Sequence, residues 1–164
     1  MLTALALLDR VRAKSPRAAN FLLSRAVPRI IPSAAGLGLQ VEALSDERSQ
    51  ATLPLKRRTK NHVGSVYFGA QMTLMEITMG LVLFRHFPPG PYGMLVKRVE
   101  SDFHTKAKGG VRAICEPGAE LLATFTTALQ GPGSKVEGWI PVKLMGDDGS
   151  VVSEARFLAA LKKF

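Results

Sequence analysis

The stretch NHVGSVYFGAQMTLMEITMGLVLFRH, running from Asn61 to His86, decides how the rest of the chain is read. A turn of small and polar residues opens into the longest apolar run of the sequence, which holds Met72, Leu74, Met75, Ile77, Met79, Leu81, Val82, Leu83 and Phe84. No strand is normally that long, so the run predicts a helix. A helix apolar on nearly every side belongs in a core rather than on a surface. One acid, Glu76, sits in its middle, and a carboxylate is seldom buried without compensation. At helical spacing Gly69, Thr73, Glu76, Gly80 and Leu83 share one stripe. Two readings of it stand. In the first, the glycines admit a sheet while Glu76 takes a hydrogen bond from a strand or reaches solvent at an interface. In the second, the stripe walls a narrow cleft where a ligand approaches the backbone. Spacing alone favours the first, because burial by itself does not reveal a role.

Upstream, residues 1–14 place Leu2, Leu5, Leu8 and Val11 at helical spacing. Ser15-Pro16 then reads as an N-cap followed by proline at the first helical position, starting a second helix that Pro28 ends. We read residues 1–35 as a helical extension that covers part of the core; contact of these Arg-rich helices with a membrane surface is the lesser reading. From Gly36, GLGLQVEAL alternates apolar with small or polar residues, and SQATLPLKRR does the same, so the two make a hairpin.

Downstream, FPPGP at 87–91 stops the long helix. MLVKRVESDF is a strand, KGG a turn and VRAICE the next strand. PGAELLATFTTALQGPG is a short helix or an extended arm. KVEGWIPVKLM alternates most clearly of all, with Pro141 marking an edge position or an outward N–H side. GDDG is a turn and VVSEARFLAALKK the last strand. The second half thus reads as a meander. Two strands, a buried helix and four strands describe an α+β fold, an antiparallel sheet wrapped round one helix, over residues 36–164.

With 164 residues the chain is one domain, and 46% hydrophobic residues mark it as globular. The net charge of +9 admits nucleic acid, anionic lipid or a polyanionic small ligand as partner. No RNA-binding or helix-turn-helix signature accompanies it, and Trp139, Tyr67 and Tyr92 form no stacking platform, so no specific nucleic-acid partner is expected. The single Cys115 excludes an intramolecular disulfide, and a reducing, cytoplasmic location is the default. His62, His86 and His104 show no metal-ligand spacing, so no metal site is expected.

The string Asn61, Gly64, Tyr67-Phe68-Gly69 and Glu76 keeps the spacing of the PaaI-type acyl-CoA thioesterases, which carry Asn, a Gly, then His-Gly-Gly before the helix and an acid seven residues on. The chain resembles that hotdog-fold superfamily from about Gly36 onward. With Lys97, Glu100, Asp102 and Phe103 in the next strand, it is most similar to a branch known only as a domain of unknown function. The resemblance implies a hotdog fold, a curved antiparallel sheet of about six strands round a central helix, and a homodimer or homotetramer whose active sites lie between protomers. It implies an acyl-CoA thioester hydrolase with Glu76 as general base or nucleophile, the N–H groups of Phe68 and Gly69 as oxyanion site, and Asn61 orienting water or the carbonyl. Tyr67, Thr73 and Gly80 would meet substrate. Lys106, Lys108, Gly109 and Gly110 would meet the phosphates of coenzyme A, which enters as part of the substrate; no separate cofactor is implied. Tyr67 replaces the usual His and Phe68 the first Gly, which narrows the loop but leaves the backbone donors in place. The alternative is a non-catalytic acyl- or lipid-binding hotdog protein.

Overall fold

A computed structural model describes the backbone of residues 2–164 and the side chains from residue 7 onward. Two helices come first, α1 (Leu2–Lys14) and α2 (Pro16–Ile30), followed by a 3-10 turn at Pro32–Ala34. Ser15 caps α2 by accepting from the Ala18 N–H, with Pro16 in the first turn where its missing donor costs nothing. Pro28 does not end α2 as the sequence predicted; it falls in the last turn, and the helix runs on to Ile30.

The sheet holds six antiparallel strands: β1 (Gln40–Leu44), β2 (Ser49–Leu53), β3 (Tyr92–Phe103), β4 (Val111–Cys115), β5 (Lys135–Gly146) and β6 (Val151–Lys163). Their spatial order is β1-β2-β4-β5-β6-β3. The predicted hairpin is present as β1 and β2, and the predicted meander holds for β4, β5 and β6 but not for β3. The long helix α3 (Phe68–His86) carries the chain from β2 across the sheet, so β3 lands at the far edge beside β6 while β4 returns to pair with β2. The segment left open between helix and arm is a helix, α4 (Ala119–Ala128), whose Phe125 ring would lie 2.6 Å from a Cβ at Gly138. Only glycine lets α4 press that closely on β5. β5 is an internal strand, but Pro141 sits just past the point where β4 stops, at Cys115 opposite Val142, so among the described residues it has a strand partner only on the β6 side, in keeping with the edge position expected of it.

The core lies between α3 and the concave face of the sheet. Leu74, Met75, Met79, Val82 and Leu83 of the helix are buried, as are Ile140, Val142 and Leu144 of β5 and Phe157, Ala159 and Leu161 of β6. Each such large side chain removed from water contributes about 1.5–3 kcal/mol before entropy is counted. Where a polar group enters this layer it is satisfied: the buried Thr78 hydroxyl donates to the Leu74 carbonyl, and Ser49 donates to the Thr78 carbonyl.

The two borders of the sheet differ. Along β1, side chains of the N-terminal helices take up the outer backbone groups: Ser24 Oγ accepts from the Val41 N–H at 2.8 Å, Asn20 Nδ2 donates to the Glu42 carbonyl at 2.6 Å, and Arg12 Nη1 donates to the Leu44 carbonyl at 3.3 Å. Asn20 and Ser24 are one helical turn apart, so one face of α2 closes the border. Among the described residues, β3 has β6 on one side and no strand on the other.

Candidate active site at the head of the central helix

The turn before α3 is held by a dense set of bonds. Asn61 Oδ1 accepts from the N–H groups of Val63 (3.1 Å) and Ser65 (3.0 Å), and Asn61 Nδ2 donates to Ser65 Oγ at 3.0 Å. The Val66 N–H donates to the Ala107 carbonyl and the Tyr67 N–H to the Thr59 carbonyl. Buried Gln71 reaches back to donate to the Val66 carbonyl at 2.9 Å and accepts from Ser153 of β6 at 3.1 Å. The first turn of α3 is therefore fixed to the sheet.

Three N–H groups of that turn, those of Phe68, Gly69 and Ala70, find no acceptor among the described residues, and the N-cap Tyr67 supplies no side-chain bond. Unpaired donors here, at the positive end of the helix dipole, are suited to a developing negative charge. The Tyr67 ring folds over Gly69, where a Cβ would meet it at 2.6 Å. Tyr67 and Phe68 are both exposed and pack edge to face, and Phe68 does the same against Phe103 at the end of β3, with centroids 6.2 Å apart.

Glu76 is exposed: of the two outcomes the first reading of the stripe allowed, it reaches solvent rather than a strand's hydrogen bond. The stripe it belongs to divides in two. Its N-terminal half is open, with Gly69, Met72 and Thr73 half-buried around the exposed Glu76; its C-terminal half is closed, with Gly80 and Leu83 buried. Gly80 thus lines no opening. It lies under Phe84 and Met94, which a Cβ there would meet at 3.7 and 3.8 Å, ordinary contact. Thr73 Oγ1 donates to the Gly69 carbonyl at 2.9 Å, so its proton is committed within the helix. No hydrogen bond or ion pair engages Glu76 among the described residues.

The other predicted residues are placed as follows. Asn61 is adjacent to the site, but its carboxamide oxygen is spent inside the turn, so an orienting role falls to the one remaining Nδ2 proton. Lys106 and Lys108 are exposed and flank Ala107, whose bond to Val66 brings them beside the head of the helix. Gly109 and Gly110 do not offer a phosphate cradle: the Gly110 N–H already donates to Asp147 Oδ2 at 2.7 Å, and a Cβ at Gly109 would strike that carboxylate at 2.5 Å. A negative group stands where the phosphate was expected. His62 is exposed and away from these bonds. Sequence reading missed Gln71 and Ser153, which anchor the turn; a lone amide inside an apolar run was the signal, since a buried amide needs partners. An open hollow of about 300 Å³ elsewhere, between Met94, Leu95, Val136 and Phe164, includes none of the candidate residues.

A model of the family described as a domain of unknown function, DUF4442, matches residues 19–160. The chain belongs to the DUF4442 family. Solved structures similar to this DUF4442 chain include a protein of unknown function from Pseudomonas aeruginosa described as a "Probable Thioesterase", at 28% identity and a TM-score of 0.77, covering 87% of this chain and 95% of that one. A protein of unknown function from Chlorobaculum tepidum matches at 17% identity and a TM-score of 0.75, covering 91% and 97%. A mutant of a thioesterase enzyme from Staphylococcus aureus matches at 16% identity and a TM-score of 0.65, covering 80% and 98%. No curated protein matches the sequence. The fold is the hotdog fold, and the DUF4442 chain is a member of the hotdog thioesterase superfamily, as the string around Glu76 implied. None of the described helices is long and apolar enough to cross a membrane.

Proposed function

We propose that the DUF4442 chain hydrolyses an acyl-CoA thioester at a site shared by two copies of itself. The observation that carries the reading is the pairing of unoccupied N–H donors at Phe68 and Gly69 with an exposed, unpartnered Glu76 on the same open half-stripe. Within one helix Glu76 lies seven residues from Gly69 and eight from Phe68, about 10.5 to 12 Å along the axis, too far to act on one carbonyl group. A second chain brings the acid of one copy to the donors of the other. The free β3 edge is the route to that pairing, since Leu95, Val99 and Phe103 are 65%, 41% and 45% exposed along it.

In such a site Glu76 takes a proton from water, whose oxygen attacks the thioester carbon. The carbonyl oxygen, now negative, is held by the Phe68 and Gly69 N–H groups. Collapse breaks the carbon–sulfur bond, and the proton on Glu76 passes to the leaving thiolate, giving a carboxylic acid and free thiol. Lys106 and Lys108 stand beside the site as partners for the phosphates of the leaving group.

The spent carboxamide of Asn61 favours one other reading, an acyl-binding protein without turnover. Thiol release from short, medium, long and aryl acyl-CoAs separates the two. The hydrolase predicts turnover that falls by about 10²–10⁴ in Glu76→Gln and Glu76→Ala. Equal background rates in all three proteins would end the hydrolytic reading and leave retention of the acyl-CoA as the activity to measure.

A further inference from the structure

We infer that the outward face of α2 docks on an anionic lipid surface. The inward face of this helix is committed, with Asn20 and Ser24 bonded to β1 and Ala19 and Val27 buried. At 100° per residue, Phe21, Leu22, Arg25 and Arg29 fall together on the opposite side, Arg17 sits at its border one heptad from Ser24, and all five are exposed. Phe21 is 58% and Leu22 48% exposed. The Arg25 guanidinium stands over the Phe21 ring at 5.1 Å. The helix contains no Asp or Glu, and none of its three exposed arginines has an acidic partner among the described residues. Two apolar side chains framed by unneutralised guanidinium groups are the composition of an interfacial helix: the apolar groups enter the acyl boundary while the charges meet lipid phosphates. Charge complementarity selects an anionic surface, and the apolar pair selects lipid over a nucleic acid, which offers nothing for Phe21 and Leu22 to enter.

The docking is independent of the hydrolytic reading, because no residue of α2 belongs to that site. The full chain is mixed with vesicles of phosphatidylcholine alone or with 30% phosphatidylglycerol, a composition giving roughly the surface charge considered for anionic leaflets, and bound protein is measured by flotation. We expect binding to the anionic vesicles only, weakened by salt. Each arginine near such a surface is worth about fivefold in partitioning, so Arg17→Gln, Arg25→Gln and Arg29→Gln combined should lower it by roughly a hundredfold. Phe21→Ser with Leu22→Ser should lower it as well, with oligomeric state and melting temperature unchanged. Three results would overturn the inference: no binding to anionic vesicles; binding indifferent to the two sets of substitutions; or a change of oligomeric state in Phe21→Ser with Leu22→Ser, which would assign the face to a second copy. Retention on RNA that matches the vesicle affinity and ignores the serine substitutions would likewise overturn it.

Discussion

Replacing Phe68 by proline would delete one candidate oxyanion donor while leaving the helix intact. Phe68 is the first residue of α3, the position where proline is best tolerated, and its N–H has no acceptor to lose. Tyr67 before it has φ −62° and ψ 138°, the extended conformation that a residue preceding proline prefers. The local cost to folding is therefore small. The catalytic cost is not, because removal of one oxyanion donor lowers kcat by about 10²–10³, or about 2.7–4 kcal/mol. Phe68→Ala is the necessary control, since it removes the same ring from Phe103 but keeps the N–H. Thiol release under saturating acyl-CoA should show Phe68→Pro slower than Phe68→Ala by that factor, with both melting near the wild type. Equal rates for the two variants would refute the oxyanion assignment. Mixing the Phe68→Pro and Glu76→Gln chains then tests whether the site is shared. With free exchange, half the dimers are mixed and each holds one site with both groups intact, so about a quarter of wild-type activity should return. No recovery would place acid and donors in the same chain.

Three further outcomes follow from the packing. Gly80→Ala should stabilise the fold by about 0.5–1 kcal/mol, because the helix interior gains a better helix former and its Cβ meets only ordinary contacts, whereas Gly138→Ala should cost about 1–3 kcal/mol by driving into the Phe125 ring; thermal melts check the opposite signs. Ser24→Ala leaves the Val41 N–H of a buried residue without its acceptor and should cost about 1–3 kcal/mol in urea denaturation. Burial, with a smaller contribution from Glu116, pushes the Cys115 thiol from its ordinary value of 9.0 up to about 12, so a thiol reagent at neutral pH should label it only after unfolding. Because the folded value is the raised one, this residue's contribution to stability is complete below pH 9.0 and is lost as pH rises toward about 12. Stability measured by denaturation across that window should fall less steeply in Cys115→Ala.

Much of the architecture was legible because period and punctuation agree. The alternation through Ile140, Val142 and Leu144 names the inner face of β5, and the run between Gly69 and His86 is a helix from end to end. The sheet order was not legible, since a meander and the observed crossover share the same succession of elements; only the placement of β3 beyond β6 separates them. The choice between the two outcomes open to Glu76 was illegible for a related reason. Apolar residues all round a helix do not ensure cover all round, and on the open half-stripe Met72 and Phe68 lie in reach of water. A helix face that is apolar without being covered in one chain is adapted to a second body, and a sequence does not say whether that body is its own sheet or another molecule. The phosphate-binding glycines failed through a partner distant in sequence: nothing at Gly109 or Gly110 announces that Asp147, on the far side of two strands, will claim their turn.

The unequal borders of the sheet set a limit on growth. Ribbon-like polymers need every unit to offer two live edges, one to accept and one to extend. Here the β1 rim is spent on Ser24, Asn20 and Arg12, so strand addition along β3 ends after a single event. Shaving off α2 would return the second edge and, with it, the capacity to propagate into fibrils.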